Sequence, residues 1–303
     1  SAFRREIRCG MATIDDEESV RERGAGRPAV ALDGVARRFG RTWPLRGVRL
    51  RVGVGELVAL TGPNGSGKTT LLRIIATALR PTRGGGRVLG RDLITEADAV
   101  RSQIGLVGHS AGLYGDLTAN ENLRFVQRML DRSDPADAVR DALEAVGLAA
   151  QAERRVREFS AGMRRRLALA RLLLQRAPVW LLDEPFASLD GEGAERVGRL
   201  IDEHRRAGGG AVIVATHSPE RLGPRVDRVV RLEAGRVRST EGEIGGGEGR
   251  VVADEAPGSG AGGSSETATA GAGAVGGASG GPLGGAASAR GSVGASRRAG
   301  GES

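Results

Sequence analysis

Residues 56–70 read Glu-Leu-Val-Ala-Leu-Thr-Gly-Pro-Asn-Gly-Ser-Gly-Lys-Thr-Thr, and this stretch decides the fold. Its first part, 56–60, is an apolar run with the length and composition of a buried strand. Glycines and a proline then interrupt the pattern over Gly62–Gly67, as in a loop. After the loop, apolar residues recur at helical spacing until Pro81, at positions Leu71, Leu72, Ile74, Ile75 and Leu79. The stretch therefore predicts a strand, a glycine-rich loop and a helix, in that order.

The loop matches the pattern Gly-x-x-x-x-Gly-Lys-Ser/Thr over Gly62–Thr69. In such a loop, glycines let backbone N–H groups close around phosphate oxygens at the start of the following helix. The Lys68 ammonium would reach the outer phosphates of a nucleotide, and the Thr69 hydroxyl would be a ligand of Mg²⁺. An ordinary glycine-rich turn is the alternative, which the preceding strand and the following helix disfavour. The predicted nucleotide-binding residues of the loop are Gly62, Pro63, Asn64, Gly65, Ser66, Gly67, Lys68, Thr69 and Thr70.

A second apolar run ends in acidic residues. Val179–Leu182 predicts a buried strand, and Asp183 and Glu184 come directly after it. In a parallel sheet this places both carboxylates at the carboxyl edge, where the phosphate loop also opens. Asp183 would hold the Mg²⁺ shell, and Glu184 could polarise a water for in-line attack on a γ-phosphate. A plain turn or helix start at Asp183, Glu184 and Pro185 is the alternative.

The distribution of apolar residues predicts one domain with two loose ends. The chain has 303 residues, of which 39% are hydrophobic, and the apolar runs stop at about Val237. From Gly242 onward Gly, Ala, Ser, Glu and Arg dominate, a composition that supplies no core. We therefore expect a folded domain over 29–241 and disordered segments over 1–28 and 242–303.

Charge and cysteine content narrow the class of protein. The formal net charge of +8 would suit a nucleic-acid partner. However, Lys68 is the single lysine, so the basic residues are nearly all arginines, which indicates a compositional bias as much as selection for phosphate binding. Acidic residues are also interspersed, and we therefore expect no nucleic-acid partner. The single cysteine, Cys9, cannot form an internal disulfide, which fits a reducing compartment such as the cytoplasm.

Apolar runs fall far short of the roughly 20 residues of a membrane-spanning helix. Residues 1–27 are charged throughout, unlike a signal peptide.

Elsewhere, strand and helix patterns alternate, as in a parallel sheet covered by helices. Further strands are predicted at Val30–Leu32, Leu45–Val52, Arg87–Leu89, Ile104–Val107, Ala211–Ala215 and Val226–Leu232, the last with a closing hairpin around Gly235. A glycine-rich turn is predicted at Gly84–Gly86. Helices are predicted at Ala119–Leu130, Pro135–Val146, Ala161–Gln175 and Glu192–Arg206. Asp134 and Ser160 are the predicted N-caps of two of these helices.

Several ordered motifs resemble the ATPase subunits of ABC transporters, over roughly 29–237. Phe159–Met163 resembles the ABC signature, Ser188–Asp190 resembles the D-loop, and Thr216–His217 resembles the switch histidine. The resemblance implies an α/β fold, that of a P-loop NTPase ABC-type nucleotide-binding domain, with a mixed-sheet core, a β-rich N-terminal subdomain and an α-helical signature subdomain. It also implies binding of ATP and Mg²⁺, ATP hydrolysis, a homodimer of ATPase subunits, and an integral membrane transporter subunit that holds the dimer at the cytoplasmic face of the membrane.

The resemblance assigns roles to individual residues. Glu184 and His217 would be catalytic, and Phe39 would stack on adenine. The start of the signature helix, at Ser160 and Gly162, would cap the ATP that the phosphate loop of the other copy holds. The remaining implied nucleotide contacts are His109 and Asp190, and the implied Mg²⁺ ligands are Thr69 and Asp183. Plain structural roles are the alternatives: a helix N-cap for Ser160, a structural side chain for His217 and a core position for Phe39.

Departures from the common family pattern refine the resemblance. His109 follows Gly108 where many of these ATPases have the Q-loop glutamine, and the signature has Ala161 and Met163 where glycine and glutamine are commoner. An imidazole can ligate a metal or hold a water, so a Mg²⁺ or coupling role for His109 is a hypothesis. Gly108, His109 and the residues after them most resemble the haem-exporter ATPases of cytochrome c maturation. Drug-type and ABC-2-type exporters share part of that pattern and are the alternative, followed by a soluble, non-transport ABC ATPase.

Overall fold

The computed structural model describes residues 28–108, 112–130, 137–208 and 210–241, all within one compact unit. Its strands are β1 (Val30–Phe39), β2 (Thr42–Val52), β3 (Leu57–Thr61), β4 (Arg83–Val88), β5 (Arg91–Asp92), β6 (Ile104–Val107), β7 (Val179–Asp183), β8 (Ala211–Ala215), β9 (Arg228–Glu233) and β10 (Arg236–Glu241). Its α-helices are α1 (Lys68–Ile75), α2 (Ala97–Arg101), α3 (Ala119–Met129), α4 (Ala138–Ala145), α5 (Ala161–Gln175) and α6 (Gly191–Arg206). The segments 1–27 and 242–303 lie outside the described residues, so the domain boundaries stay predictions.

The first sheet is antiparallel and has the strand order β2-β1-β4-β5. Its first strand is longer than the sequence predicts. Instead of stopping at Leu32, β1 continues to Phe39, which pairs with Thr42 across a tight turn. The pairing register between β1 and β2 shifts between Leu32 and Phe39. Such shifts let a strand pass residues that interrupt its apolar pattern. This sheet is the β-rich N-terminal subdomain that the resemblance implies.

The predicted turn at Gly84–Gly86 is wrong, because these residues lie inside β4. At Gly84 and Gly86, the absence of a side chain lets β4 lie close to β1. A Cβ added at Gly84 would lie 2.2 Å from the Gly34 carbonyl oxygen, and one at Gly86 would lie 2.4 Å from the Ala31 carbonyl oxygen. A larger residue would therefore force the two strands apart, and glycine is needed here for contact rather than for chain reversal.

The second sheet has the strand order β10-β9-β3-β8-β7-β6. Neighbours from β9 to β6 run parallel, and β10 closes the edge as an antiparallel hairpin with β9. With the first sheet this forms the mixed α/β core that the sequence predicts. The parallel order brings the carboxyl ends of β3, β8 and β7 side by side, since Ala215 is paired with Leu60 on one side and with Asp183 on the other.

Both faces of the parallel sheet are buried at β3, β7 and β8, which explains why these strands are continuous apolar runs. In β7, Trp180 and Leu182 face one core, whereas Val179 and Leu181 face another. The first core includes side chains of α3, α4, α5 and α6, and the second includes side chains of α1 and of the first sheet. One sheet therefore supports the helical subdomain on one side and the antiparallel sheet on the other.

Helices begin where polar side chains can cap their free N–H groups. Thr118 accepts a hydrogen bond from the Glu121 N–H, and the Glu121 carboxylate accepts one from the Thr118 N–H, a capping box that starts α3. Ser160 caps α5 as predicted. Helix α4 begins at Ala138, later than predicted, and its predicted cap Asp134 lies outside the described residues. Among the described residues, no helix combines the length and the apolarity that a bilayer span requires.

A stacked ring pair lies between the parallel sheet and α6. The rings of Trp180 and His204 have centroids 3.9 Å apart and are tilted by 9°. His204 Nε2 is buried with no hydrogen-bond partner among the described residues. Desolvation lowers the pKa of His204 to about 4, against a hydrogen bond with the Pro178 backbone that acts to raise it. The imidazole is therefore neutral at pH 7 and serves as a flat core side chain.

Candidate nucleotide site

The glycine loop leaves β3 along a path that only glycine can follow at two points. Gly62 has φ 138° and Gly67 has φ 108°, both in the region that L side chains avoid. Space forbids side chains there as well. A Cβ at Gly62 would lie 2.0 Å from the Leu232 carbonyl oxygen, and one at Gly67 would lie 2.4 Å from the Pro44 carbonyl oxygen. The loop is thus fixed against β9 and β2, and Gly67 is the N-cap of α1.

The lysine of the loop is buried and folded back over the loop. Lys68 is 8% exposed, and its Nζ donates to the carbonyl oxygens of Gly62 at 2.7 Å and Pro63 at 3.1 Å. The Ser66 hydroxyl is buried with no hydrogen-bond partner among the described residues. Of the other predicted loop residues, Pro63, Asn64 and Gly65 are exposed at the crest, and Thr70 is partly buried in the first turn of α1. The loop therefore places an ammonium and a free hydroxyl at the start of a helix, an arrangement that suits an anion.

The predicted Mg²⁺ ligands are in direct contact. Thr69 Oγ1 donates a hydrogen bond to Asp183 Oδ2 at 2.7 Å, although the two residues come from α1 and β7. Asp183 is 5% exposed, so its carboxylate lies in the buried end of the strand. The parallel sheet therefore brings a hydroxyl and a carboxylate oxygen together directly behind the loop.

The predicted catalytic pair is also assembled. Glu184 Oε1 accepts a hydrogen bond from the His217 backbone N–H at 3.0 Å and lies 2.9 Å from His217 Nδ1. Its other oxygen, Oε2, accepts a hydrogen bond from the Thr216 hydroxyl at 3.2 Å. Glu184 itself has φ 53°, an uncommon backbone conformation for a residue other than glycine. The two residues that follow β8 thus fix both oxygens of the Glu184 carboxylate, whose side chain is 25% exposed.

The residues that resemble the signature and the D-loop pack on each other. Ser160 is exposed and its Oγ accepts a hydrogen bond from the Met163 N–H at 3.1 Å. Gly162 is buried, and a Cβ there would lie 2.6 Å from the Ser188 carbonyl oxygen. Asp190 caps α6 by accepting a hydrogen bond from the Gly193 N–H at 2.8 Å. Ser160 and Asp190 both act as helix caps, so the cap interpretation of Ser160 is a structural fact whatever else it contacts.

Two predicted contacts are not part of the cluster that the described residues form. Phe39, at the end of β1, is 47% exposed and carries the Arg37 guanidinium 4.6 Å from its ring centroid. The alternative of a core position for Phe39 is therefore wrong. His109 lies outside the described residues, and its role stays a hypothesis.

Sequence reasoning missed Arg165, a buried arginine behind the two acids. Its Nη1 donates to the backbone carbonyl oxygens of Gly108 at 2.8 Å and Asp183 at 3.2 Å. Burial lowers the pKa of Arg165, and the charges of Asp183 and Glu184 act to raise it. A signal existed in the sequence, because Arg165 follows Gly162 by one helical turn and so shares the buried face of α5.

Strand β3, the glycine loop and helix α1, with the Thr69–Asp183 contact behind them, define a phosphate-loop nucleoside triphosphatase. The ABC transporter family profile matches residues 45–187. The chain is 41% identical over 207 residues to the cytochrome c biogenesis ATP-binding export protein CcmA of Cupriavidus necator, covering 68% of this chain and 90% of that protein. The chain belongs to the ABC transporter family as one of its ATP-binding and ATP-hydrolysing subunits.

Two further similarities lie within the same family. The chain is 38% identical over 211 residues to the daunorubicin resistance ATP-binding protein DrrA3 of Streptomyces coeruleorubidus, covering 69% of this chain and 66% of that protein. Among solved structures, a dimeric ATP-binding cassette in a post-hydrolysis state bound to ADP and Pi matches with a TM-score of 0.66 at 28% identity, over 71% of this chain and 99% of the other. These similarities agree with the fold and the class of site described above.

Proposed function

We propose that this chain powers export through a separate integral membrane subunit, works as a homodimer at the cytoplasmic face of the membrane, and serves haem export in cytochrome c maturation. The observation that carries the hydrolytic part is the arrangement at the ends of β7 and β8. There, Thr69 contacts Asp183, and Glu184 is fixed by the next strand. The similarity to CcmA, which extends over 90% of that protein, supports haem as the transported compound.

The residues present fit Mg²⁺. The ion prefers oxygen ligands, and in nucleotide sites it takes one or two protein groups together with phosphates and waters. Thr69 and Asp183 supply a hydroxyl and a carboxylate oxygen 2.7 Å apart. No group of three His, Cys, Asp or Glu side chains suited to a metal occurs among the described residues, so a metal held by protein ligands alone has no candidate there. Thr69 and Asp183 would hold the ion, and it would supply positive charge that offsets the negative charge developing on the phosphates.

The proposed hydrolysis depends on the positions of three side chains, those of Lys68, Glu184 and His217. Lys68 exchanges its bonds to the Gly62 and Pro63 carbonyls for the outer phosphates of ATP. Glu184 orients a water for in-line attack on the γ-phosphate and accepts its proton. His217 and the residue before it hold the Glu184 carboxylate in one orientation, so that it costs little reorganisation when the reaction occurs.

The dimer is proposed from the exposed start of α5. Ser160 begins a 15-residue helix whose N-terminus carries partial positive charge, and the residue is exposed. A negatively charged γ-phosphate held by a second copy would be stabilised there. Closure then depends on contacts that exist only while the γ-phosphate is present, so hydrolysis favours opening. The dimeric form of the matching cassette that contains ADP and Pi supports this arrangement.

An exposed apolar patch supports a membrane partner. Tyr114 is 54% exposed, Phe125 is 38% exposed and Met129 is 71% exposed. The rings of Tyr114 and Phe125 meet edge to face, with centroids 5.1 Å apart. Asn122 fixes this contact by bonding to both the N–H and the carbonyl oxygen of Tyr114. An ordered apolar surface of this kind suits burial against another protein, here the proposed membrane subunit.

The proposal for haem is tested by deleting the gene and measuring mature c-type cytochromes by haem staining. We expect the cytochromes to disappear and to return with the wild-type gene, but not with a Lys68→Ala variant. The second candidate is a drug exporter, which the 38% identity to DrrA3 favours. Normal cytochromes in the deletion strain together with a new sensitivity to anthracyclines would replace haem export with that function.

A further inference from the structure

Two arginines of helix α5, Arg165 and Arg171, bind backbone carbonyl oxygens at Gly108 and Gly112. Arg165 Nη1 donates to the Gly108 carbonyl oxygen at 2.8 Å, and Arg171 Nη1 donates to the Gly112 carbonyl oxygen at 2.9 Å. Gly108 directly follows β6, and Gly112 precedes the segment that leads into α3. One helix therefore holds the chain both where it leaves the parallel sheet and where it approaches the helical subdomain.

The first of these contacts also reaches the hydrolytic acids. The nitrogen of Arg165 that binds Gly108 also binds the carbonyl oxygen of Asp183 at 3.2 Å, so one guanidinium joins the ends of β6 and β7. Arg165 is 8% exposed. A buried cation is unfavourable unless it is well bonded, and the nearby charges of Asp183 and Glu184 offset part of that cost. Its position therefore affects where the peptide group of Asp183 lies.

The second contact depends on a glycine. Gly112 has φ 58°, and a Cβ there would lie 2.7 Å from Arg171 Nη1, so a larger residue would strain the backbone and require the guanidinium to shift. Burial lowers the pKa of Arg171, and its Nε is buried without a hydrogen-bond partner among the described residues. Among the described residues, the Gly112 carbonyl oxygen is a hydrogen-bond acceptor for this partly buried guanidinium. The contact therefore links α5 to the chain at Gly112.

We infer that Arg165 and Arg171 are positioning residues through which α5 sets the two ends of the stretch between Gly108 and Gly112, and that Arg165 sets the end of β7 at the same time. Because Ser160 caps the helix that carries both arginines, a displacement of its signature end would shift both side chains and the bonds that they make. The position of the helix is thereby passed to the backbone of Asp183 and to the chain leading to the exposed apolar patch. This inference rests on the proposed hydrolytic function, which it deepens.

Arg166 provides a matched control. It is the next residue on α5, and its Nη1 also donates to two backbone carbonyl oxygens, those of Val146 at 3.2 Å and Gly147 at 3.1 Å. Those carbonyls lie at the end of α4, within the helical subdomain. Arg166→Gln therefore removes bonds of the same kind without touching β6 or β7. A general loss of helix packing would affect Arg165→Gln and Arg166→Gln alike.

The experiment uses the full chain and compares kcat, KM and the ATP dissociation constant for Arg165→Gln, Arg165→Lys, Arg171→Gln and Arg166→Gln. We expect Arg165→Gln to lower kcat about tenfold or more, since a bond to a charged group is lost, with ATP binding changed by less than about twofold. Arg165→Lys keeps the cation and one bond and should recover part of that loss. Arg171→Gln should lower kcat about threefold, and Arg166→Gln should leave it within about twofold.

The double variant Arg165→Gln/Arg171→Gln tests whether the two residues act on one stretch. We expect its effect to be smaller than the product of the single effects, because both substitutions remove contacts between α5 and neighbouring points of the chain, Gly108 and Gly112. Equal kcat values for Arg165→Gln and Arg166→Gln, or no recovery in Arg165→Lys, would overturn the inference. Absence of ATP binding or turnover in the wild-type chain would instead overturn the proposed function, so the two failures are separate.

Discussion

The two sides of the nucleotide site are built in opposite ways. On the phosphate-loop side, Lys68 bonds to Gly62 and Thr69 bonds to Asp183, so these polar groups are paired inside one chain. On the signature side, Ser160 is exposed at the start of α5 and caps its own helix. The first side is a pocket complete within the chain, and the second is a surface that a second copy can use.

This difference indicates how each side will respond to substitution. We expect changes on the loop side to act on chemistry within one chain, whereas changes at Ser160 should act on association in the proposed dimer. The two sides are joined inside the chain by α5, whose Arg165 reaches the end of β7. The experiments below separate these contributions, beginning with the largest expected effect.

Glu184→Gln alters the loop side alone. An amide cannot accept the proton of the attacking water, so we expect turnover to fall by about 10²–10⁴-fold while ATP binding stays intact. ATP that is bound but not hydrolysed should then hold a dimer together. Phosphate release and sedimentation with Mg-ATP measure the two effects. Glu144→Gln, at an exposed acid of α4, should change neither; normal hydrolysis by Glu184→Gln would remove Glu184 from the catalytic role.

Ser160→Asp tests whether the exposed surface meets a phosphate. Aspartate caps a helix as well as serine, so the melting temperature should hardly change. A carboxylate facing a γ-phosphate is unfavourable by several kcal/mol, and we expect ATP-dependent dimerisation and turnover to fall about 10²-fold. Ser160→Asn keeps the cap without the charge and should lose much less. Full activity in Ser160→Asp would mean that Ser160 is a cap and nothing more.

Gly162→Ala asks how tightly the signature side is held by its own chain. The new Cβ would lie 2.6 Å from the Ser188 carbonyl oxygen, and we expect the free energy of unfolding to fall by about 1–3 kcal/mol. Urea denaturation measures it. Gly191→Ala is the control, because a Cβ there has open space and alanine favours a helix. If both variants unfold alike, the packing of Gly162 on Ser188 is not tight.

Acid should weaken the packing of the interior beneath both sides of the site. The folded pKa of His204 is depressed to about 4 from 6.5, so the unfolded chain binds the proton first and stability falls as the pH drops from 6.5 towards 4. We expect a loss of about 1 kcal/mol near pH 5.5 from this group. Urea midpoints between pH 7.5 and 4.5 measure it. His204→Leu should flatten that part of the profile, and an unchanged slope would assign the loss to other groups.

Much of the fold follows from local sequence. Helix α5 has the predicted bounds, Ala161–Gln175, because its cap and its apolar spacing both lie within the segment. The phosphate loop and the acids at the end of β7 were also predictable, since each lies where a buried strand ends. That Thr69 and Asp183 would meet required only the rule that parallel strands share a carboxyl edge.

What local sequence could not reveal depends on contacts between distant parts of the chain. Gly84 and Gly86 look like a turn until β1 is placed against them. Arg165 stands between Arg164 and Arg166 and looks like part of a solvated face, although its register with Gly162 puts it on the buried one. In both cases the residue type is explained by a neighbour that tertiary structure alone supplies.

The ring pair of Trp180 and His204 gives this chain an intrinsic fluorescence reporter in its interior. The chain has two tryptophans, and the second, Trp43, lies in β2 with the Arg38 and Arg83 guanidinium groups 5.7 and 5.9 Å from its ring. Trp180 is 3% exposed and should emit at short wavelength, with quenching as the imidazole gains its proton. Because Trp43 is more exposed, its emission should lie to the red. One fluorescence spectrum can therefore distinguish an event at the edge of the first sheet from a change in the interior.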